Sequence, residues 1–156
     1  MPEKNGEHPF GDAGQLILLG VFLMVWVGDS FFLHFSTFLS NYVPLSIRLV
    51  SLGLFFIAAV ALAQSGHVVV SQAQRPDHVI TAGAFRYVRH PLYLASLLAY
   101  LGLAVSTLSL VTLAVWGGIL GFHDYIASYE ERLLEMKFGG IYRIYKQNTG
   151  KWLPKP

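Results

Sequence analysis

The feature that most constrains this chain is a set of apolar stretches that are too long for the core of a soluble domain. Residues 16–39 and 45–70 carry only one aspartate or arginine each, and about 20 such residues in a helix cross the hydrocarbon core of a bilayer. Two further apolar stretches, 92–105 and 110–126, flank the polar residues 106–109. The pattern predicts an all-α integral membrane bundle of about four transmembrane helices, the last two forming a helical hairpin.

Composition supports a membrane location and argues against several kinds of site. Hydrophobic residues make up 54% of the chain and charged residues 13%, roughly half the charged share of an ordinary soluble domain. The sequence contains no cysteine, which excludes disulfides and thiolate ligands, and a net charge of +2 gives no reason to expect nucleic acid. The histidines lack metal-ligand spacing, so no metal or haem site is expected. We expect one domain over residues 1–156.

The basic residues predict how the bundle lies in the membrane. With four crossings, a polar tail (1–15), the loop 71–91 and the C-terminal segment 127–156 share one side, and Arg48 lies opposite. Lysine and arginine concentrate on the shared side, which by the positive-inside rule is the cytoplasm. We therefore expect both termini and the loop to be cytoplasmic. The tail lacks the basic start and cleavage site of a signal peptide.

The cytoplasmic C-terminal segment is predicted to continue from the hairpin as an amphipathic helix, from Ile126 to Tyr145, with a break at Gly139-Gly140. One face is expected to lie against membrane or protein, and the other to face water. The first face carries Leu133, Leu134, Phe138 and Tyr142, and the second carries Glu131, Glu135 and Lys137.

Two short polar motifs, Arg89–Tyr93 and Tyr129–Leu134, lie at the two feet of the hairpin. Ionisable side chains at the edge of a bilayer cost free energy unless they pair, reach water or hold a ligand. Because the hairpin returns the chain to the same side of the membrane, the motifs are predicted to form two walls of one pocket. Carboxylates, a histidine and aromatic rings suit a ligand with a cation, a carboxylate and an aromatic base. S-adenosylmethionine has all three, and nucleotides share much of this chemistry.

The residues that carry these motifs also resemble a known family. The stretch 83–93, the sequence Glu130–Leu134 and the stretch 138–145 are similar to the isoprenylcysteine carboxyl methyltransferase and phospholipid methyltransferase superfamily of integral membrane methyltransferases, over roughly residues 77–154. The resemblance implies S-adenosyl-L-methionine-dependent methyl transfer to a lipophilic or membrane-associated acceptor. It implies a cofactor site formed by Asp77, His78, Val79, Ile80, Phe85, His90, Pro91, Leu92, Tyr93, Glu130 and Glu131.

Departures from the family pattern leave the methyl acceptor open. Ala95 stands where the family often has glycine, Ile126 replaces an arginine that contacts substrate in the prenylcysteine branch, and Asn148–Gly150 replaces an arginine-valine-proline sequence. A carboxylate, a thiol and an amine all remain possible acceptors. An anionic acceptor needs no general base, whereas a thiol or amine must lose a proton. The candidate bases are His90, His123 and Glu131.

Other roles stay open at this level. Arg89 is as consistent with an anchor to lipid headgroups as with a functional residue, and the tyrosines outside the His90-Pro91 motif fit an interfacial aromatic belt, namely Tyr87, Tyr142 and Tyr145. Asp29 and His34 are placed near the far interface without a function. A sterol-reductase-like membrane oxidoreductase and a non-catalytic membrane subunit are the alternative functions. Expected partners are a lipophilic small-molecule or lipid substrate and membrane lipids, and the oligomeric state is open.

Overall fold

The computed structural model describes residues 11–72 and 78–155, and these fold into helices and short turns. In chain order the elements are helix α1 (Gly11–Val27), a π-helical turn (Gly28–Leu33), a 3-10 turn (Phe38–Asn41), α2 (Leu45–Gln72), a second 3-10 turn (Gly83–Arg86), α3 (Pro91–Thr107), α4 (Leu110–Phe138) and α5 (Gly140–Asn148). Among the described residues the extended backbone makes one isolated bridge, between Val88 and Gly150. The predicted all-helical class is confirmed.

Among the described residues, three segments are long and apolar enough to cross a membrane: Ala13–Leu33, Leu45–Val68 and Leu110–Phe138. Helix α3, with 17 residues, is a shorter apolar helix. It is the first arm of the predicted hairpin and begins inside the His90-Pro91 motif. Three long apolar helices are therefore established within the described part of the chain, and four crossings remain a prediction.

The first apolar helix is shorter than the sequence predicted. A helix continuing to Leu39 is wrong, because His34 adopts a left-handed conformation with φ 50° and its N–H bonds the carbonyl of Asp29 at 2.8 Å. Behind this turn the chain folds back and brings the backbone N–H of Ser36 to 3.1 Å from the Asp29 carboxylate. The turn thus supplies hydrogen bonds to the buried Asp29 carboxylate. A hydropathy pattern does not reveal such a turn.

The predicted break at residues 106–109 is confirmed as the tip of the α3–α4 hairpin. Leu108 adopts a left-handed conformation with φ 53°, and Ser109 caps α4 by accepting a hydrogen bond from the Thr112 amide at 3.1 Å. At the same end of the bundle, Arg48 donates a hydrogen bond to the carbonyl of Ser106 at 3.0 Å. Arg48 and the hairpin tip thus lie opposite the two polar motifs.

Close helix packing brings the elements of the bundle together. A Cβ added to Gly102 would lie 2.9 Å from Cβ of Phe55, so this glycine lets α3 approach α2 closely. Between α1, α3 and α4, the core comprises Phe22, Leu97, Ala104 and Ile119. Helix α2 packs mainly on α3 and leaves most of its surface exposed, as expected of a helix that faces lipid.

The C-terminal helix differs from its prediction in one side chain. Helix α4 runs without a break from the hairpin to Phe138, Gly139 has φ +57°, and α5 follows, so the predicted break at Gly139-Gly140 is confirmed. Tyr142 is 2% exposed and faces inward as predicted, but the placement of Glu131 toward water is wrong, because Glu131 is 4% exposed. The reason lies in the basic groups around it.

Candidate functional site

The site begins at the junction of the 83–90 segment and α3. Pro91 occupies the first turn of α3, where its missing N–H costs no hydrogen bond. The His90 side chain does not cap the helix and instead turns toward α4. Its Nε2 lies 3.2 Å from Oε1 of Glu131, and its Nδ1 lies 3.8 Å from Oε2 of Glu130. The His90 ring also stacks on the Tyr93 ring, with centroids 5.7 Å apart.

Glu131 is the centre of a buried ion cluster. Its Oε1 accepts a hydrogen bond from Nε of Arg89 at 2.8 Å, and its Oε2 lies 3.2 Å from Nζ of Lys146. Arg89 also donates to the carbonyl of Lys146 at 3.1 Å and to the carbonyl of Thr149. Arg89 thus pairs with groups inside the protein rather than with lipid headgroups, because its side chain is only 8% exposed. These bonds join the 83–90 segment to α4 and α5.

Glu130, the neighbour of Glu131, lies in a different environment. The hydroxyl of Tyr93 donates a 2.5 Å hydrogen bond to Oε1 of Glu130. The Glu130 side chain is 18% exposed, compared with 5% for Glu131. Of the two adjacent carboxylates, Glu131 is closed in by protein groups, and Glu130 is the one that a ligand reaches more easily.

Residues 149–152, here termed the C-terminal strap, run beside the start of α3. The N–H of Arg89 donates to the carbonyl of Gly150 at 2.9 Å, and the Trp152 ring centroid lies 5.9 Å from that of His90. Asp124 on α4 fixes the strap by accepting from Nζ of Lys151 at 2.5 Å and from Nε1 of Trp152 at 2.9 Å. Sequence reasoning missed this strap. Its only signal was the departure at Asn148–Gly150, which marks a turn.

Two tyrosines of α5, Tyr142 and Tyr145, lie beside the 83–90 segment and the ion cluster. Tyr145 donates a hydrogen bond to the carbonyl of Phe85 at 2.6 Å, and burial raises the pKa of Tyr145 to about 12. Burial also raises the pKa of Tyr142. The interfacial-belt interpretation is wrong for Tyr142, which is 2% exposed. Tyr145 is half-buried, and the 60% exposure of Tyr87 fits the belt.

Lys146, on the same helix as these tyrosines, completes the ion cluster. A hydrogen bond to Glu135 and a second to Glu131 hold the pKa of Lys146 above its ordinary value. The Nζ of Lys146 lies 3.0 Å from Oε1 of Glu135. Lys146 therefore stays charged over the neutral pH range and keeps α5 joined to α4.

His123 lies two helical turns before Glu130 on the same face of α4. It is 2% exposed, and its ring meets the Tyr93 ring edge-on at 5.3 Å. Its Nδ1 is 2.9 Å from the carbonyl of Ile119, and its Nε2 is 3.5 Å from Oγ of Ser96. His123 thus adjoins the predicted cofactor motif on the side that faces the hairpin tip.

The structure brings together only part of the predicted cofactor set. His90, Pro91, Tyr93, Glu130 and Glu131 converge where α3 meets α4. Asp77 lies outside the described residues. His78 and Leu92 are exposed, and three side chains are half-buried, namely Val79, Ile80 and Phe85. Across the described ranges, no group of three histidine or carboxylate side chains could hold a metal ion.

An open cleft lies on the neighbouring face of α4. Its volume is about 560 Å³, and it is lined by Gly121, Asp124, Tyr125, Ser128, Glu131, Arg132 and Lys146. Ile126, at the position where the prenylcysteine branch has an arginine, is 2% exposed and apolar. It offers no charge to a substrate carboxylate.

The converging groups fit S-adenosylmethionine on chemical grounds. The first-turn N–H group of Leu92 in α3 has no intrahelical acceptor and can bind a carboxylate. The carboxylate of Glu130 can accept from an ammonium group, and the rings of Tyr93 and Trp152 can face a sulfonium or a purine. Cation, carboxylate and aromatic recognition are therefore available at one end of the hairpin.

Apolar spanning helices with a polar site at one end define an integral membrane protein. The sequence profile of the family described as phospholipid methyltransferase matches residues 45–141, more than half of the chain. The chain belongs to that family. It is also similar to the protein-S-isoprenylcysteine O-methyltransferase of Schizosaccharomyces pombe, with 29% identity over 136 residues, which cover 78% of this chain and 56% of the relative. The chain thus spans little more than half the length of that relative.

Proposed function

We propose that this protein transfers a methyl group from S-adenosyl-L-methionine to a lipophilic or membrane-associated acceptor. The observation that carries the proposal is the convergence of His90, Tyr93 and Glu130 at the uncapped start of α3. Membership of the phospholipid methyltransferase family supports the same reaction class.

Each part of the site has a separate task in this proposal. Glu130 accepts from the ammonium group of the cofactor, and the amide of Leu92 at the start of α3 receives its carboxylate. Phe85 and residues 78–80 cover the remainder of the cofactor. Glu131 acts indirectly, because its carboxylate already holds Arg89, His90 and Lys146 and thereby fixes the walls of the pocket.

The bound cofactor supplies an electrophilic methyl group on a positively charged sulfur. The protein contributes alignment and a dry environment, for which the buried His90, Tyr142 and Glu131 and the strap over His90 are suited. We propose four crossings with the site on the cytoplasmic side, so that the cofactor enters from the cytoplasm. A lipophilic acceptor then enters sideways from the bilayer.

Calorimetry with the purified full chain in lipid nanodiscs tests the cofactor. We expect saturable binding of S-adenosylmethionine by the wild type and a loss of at least tenfold in affinity for Glu130→Gln, because a charge-assisted hydrogen bond contributes about 1.5–3 kcal/mol. The matched control is Glu135→Gln, since Glu135 bonds Lys146 and is not among the residues proposed to contact the cofactor. A folded wild type that binds no S-adenosylmethionine contradicts the proposal. Binding of a nicotinamide cofactor in its place would support the reductase alternative.

A further inference from the structure

We propose that His123 is the general base of this methyl transfer, and that the acceptor is a sulfur or nitrogen group that still carries its proton when it reaches the site. The inference rests on the proposed function and adds to it the class of acceptor. It is drawn from the hydrogen bonds around the ring and from its place in the bundle.

The first step is the tautomer of the ring. The carbonyl oxygen of Ile119 lies 2.9 Å from Nδ1 of His123, and a carbonyl can only accept a hydrogen bond. Nδ1 therefore carries the proton. In the neutral ring, the opposite nitrogen, Nε2, then carries a basic lone pair.

The second step concerns what faces that lone pair. Oγ of Ser96 lies 3.5 Å from Nε2, but its single proton is donated to the carbonyl of Tyr93 at 2.8 Å. The shorter bond takes the hydroxyl proton, so Ser96 does not donate to Nε2 and leaves its lone pair basic. Within the described ranges, the rings of Tyr93 and Phe122 also contact the His123 ring, and neither is charged.

The third step is location. His123 precedes Glu130 by two helical turns on one face of α4, and Ala127, between them, is fully buried and small. Tyr93 bridges the two, since its hydroxyl bonds Glu130 and its ring edge meets His123. His123 therefore lies on the membrane side of the proposed cofactor site, where an acceptor that arrives through the bilayer meets the methyl group.

The chemistry balances for a protonated acceptor. As the acceptor lone pair bonds the methyl carbon, the carbon–sulfur bond of the cofactor breaks and its electron pair stays on that sulfur. The acceptor proton passes to Nε2, so one positive charge leaves the sulfonium and one appears on the imidazolium. A carboxylate has no proton to give and would leave His123 without a role.

Two thiol probes with the same hexadecyl chain separate a base from a structural histidine. Hexadecanethiol is protonated at neutral pH, whereas a hexadecyl-substituted tetrafluorothiophenol is already a thiolate and needs no base. For His123→Asn we expect methylation of the first to fall at least 100-fold, the lower end of general-base effects, and methylation of the second to change less than threefold. The matched control is His34→Asn, because His34 is exposed at the far end and its left-handed backbone accepts asparagine.

Equal loss with both thiols, or no loss with either, overturns the proposal. The wild type gives a test that does not depend on the variant folding. If it binds S-adenosylmethionine and methylates the ionised thiol but neither hexadecanethiol nor hexadecylamine, the acceptor class is wrong. Failure of the wild type to bind S-adenosylmethionine instead contradicts the proposed function itself, so the two failures are distinguishable.

Discussion

The two ends of the bundle each bury one carboxylate, and they satisfy it differently. At the site end, Glu131 is surrounded by Arg89, His90 and Lys146, groups that come from three separate segments. At the far end, the Asp29 carboxylate accepts hydrogen bonds from neutral hydroxyl and amide groups.

The difference indicates what each end does. The far cluster joins the end of the first apolar helix to the hairpin tip, because Oδ2 of Asp29 accepts from Oγ of Ser36 at 2.5 Å and from Oγ of Ser109 at 2.6 Å. The site cluster instead joins the 83–90 segment to α4 and α5 beside the proposed cofactor site. We therefore expect substitutions at the site end to lower both the stability of the protein and its affinity for S-adenosylmethionine. Substitutions at the far end should lower the stability alone.

The largest effect is expected for Glu131→Gln. This change leaves Arg89 buried against a neutral amide, and breaking a buried ion pair costs about 3–5 kcal/mol. Thermal unfolding should show the destabilisation, and calorimetry on the folded fraction should show at least a tenfold loss of S-adenosylmethionine affinity. Unchanged affinity in folded protein would mean that Glu131 does not organise the pocket.

Asp29→Asn tests the other half of the comparison. Asparagine keeps the shape but loses charge-assisted hydrogen bonds, so we expect a loss of about 1.5–3 kcal/mol in the free energy of unfolding. The affinity of the folded protein for S-adenosylmethionine should stay within twofold of the wild type. A parallel loss of affinity would show that the two ends are coupled and would contradict a purely structural role for the far end.

Gly150→Ala tests the strap. An added Cβ would lie 1.7 Å from the carbonyl oxygen of Leu153, so the strap must move. Such overpacking costs about 1–3 kcal/mol, and cofactor affinity should fall with it. The matched control is Gly53→Ala, because a Cβ at Gly53 meets nothing within 4 Å. If both variants bind equally well, the strap does not close the site.

The smallest effect is expected for Tyr145→Phe, which removes the bond to the Phe85 carbonyl at a cost of about 1 kcal/mol. Because burial raises the pKa of Tyr145 to about 12, from about 10 in the unfolded chain, the bond stabilises the protein fully below pH 10. Its contribution is lost as the pH rises toward 12. The difference in unfolding free energy between wild type and Tyr145→Phe should be constant to about pH 10 and decline above it. A difference independent of pH would contradict the bond.

The same two ends show how much the sequence can predict. The hairpin, its tip at 106–109 and the approach of the two polar motifs at its feet follow from long apolar runs and the return of the chain to one side. The burial of Glu131 does not follow, because adjacent glutamates on an amphipathic helix look solvated until Arg89 and Lys146 are placed beside them. The Asp29 cluster is also hidden, since Ser109 is 80 residues away from Asp29 and hydroxyls occur throughout the chain.

The most direct test of the central claim is transfer of a tritiated methyl group. Wild type and Glu130→Gln protein in nanodiscs receive labelled S-adenosylmethionine together with lipid and small-molecule extracts of native membranes. The proposed function predicts that the wild type labels an extractable lipophilic product. With Glu130→Gln, the amount of label in that product should fall at least tenfold. Equal labelling by the two proteins, or no labelling by a wild type that binds the cofactor, would contradict it.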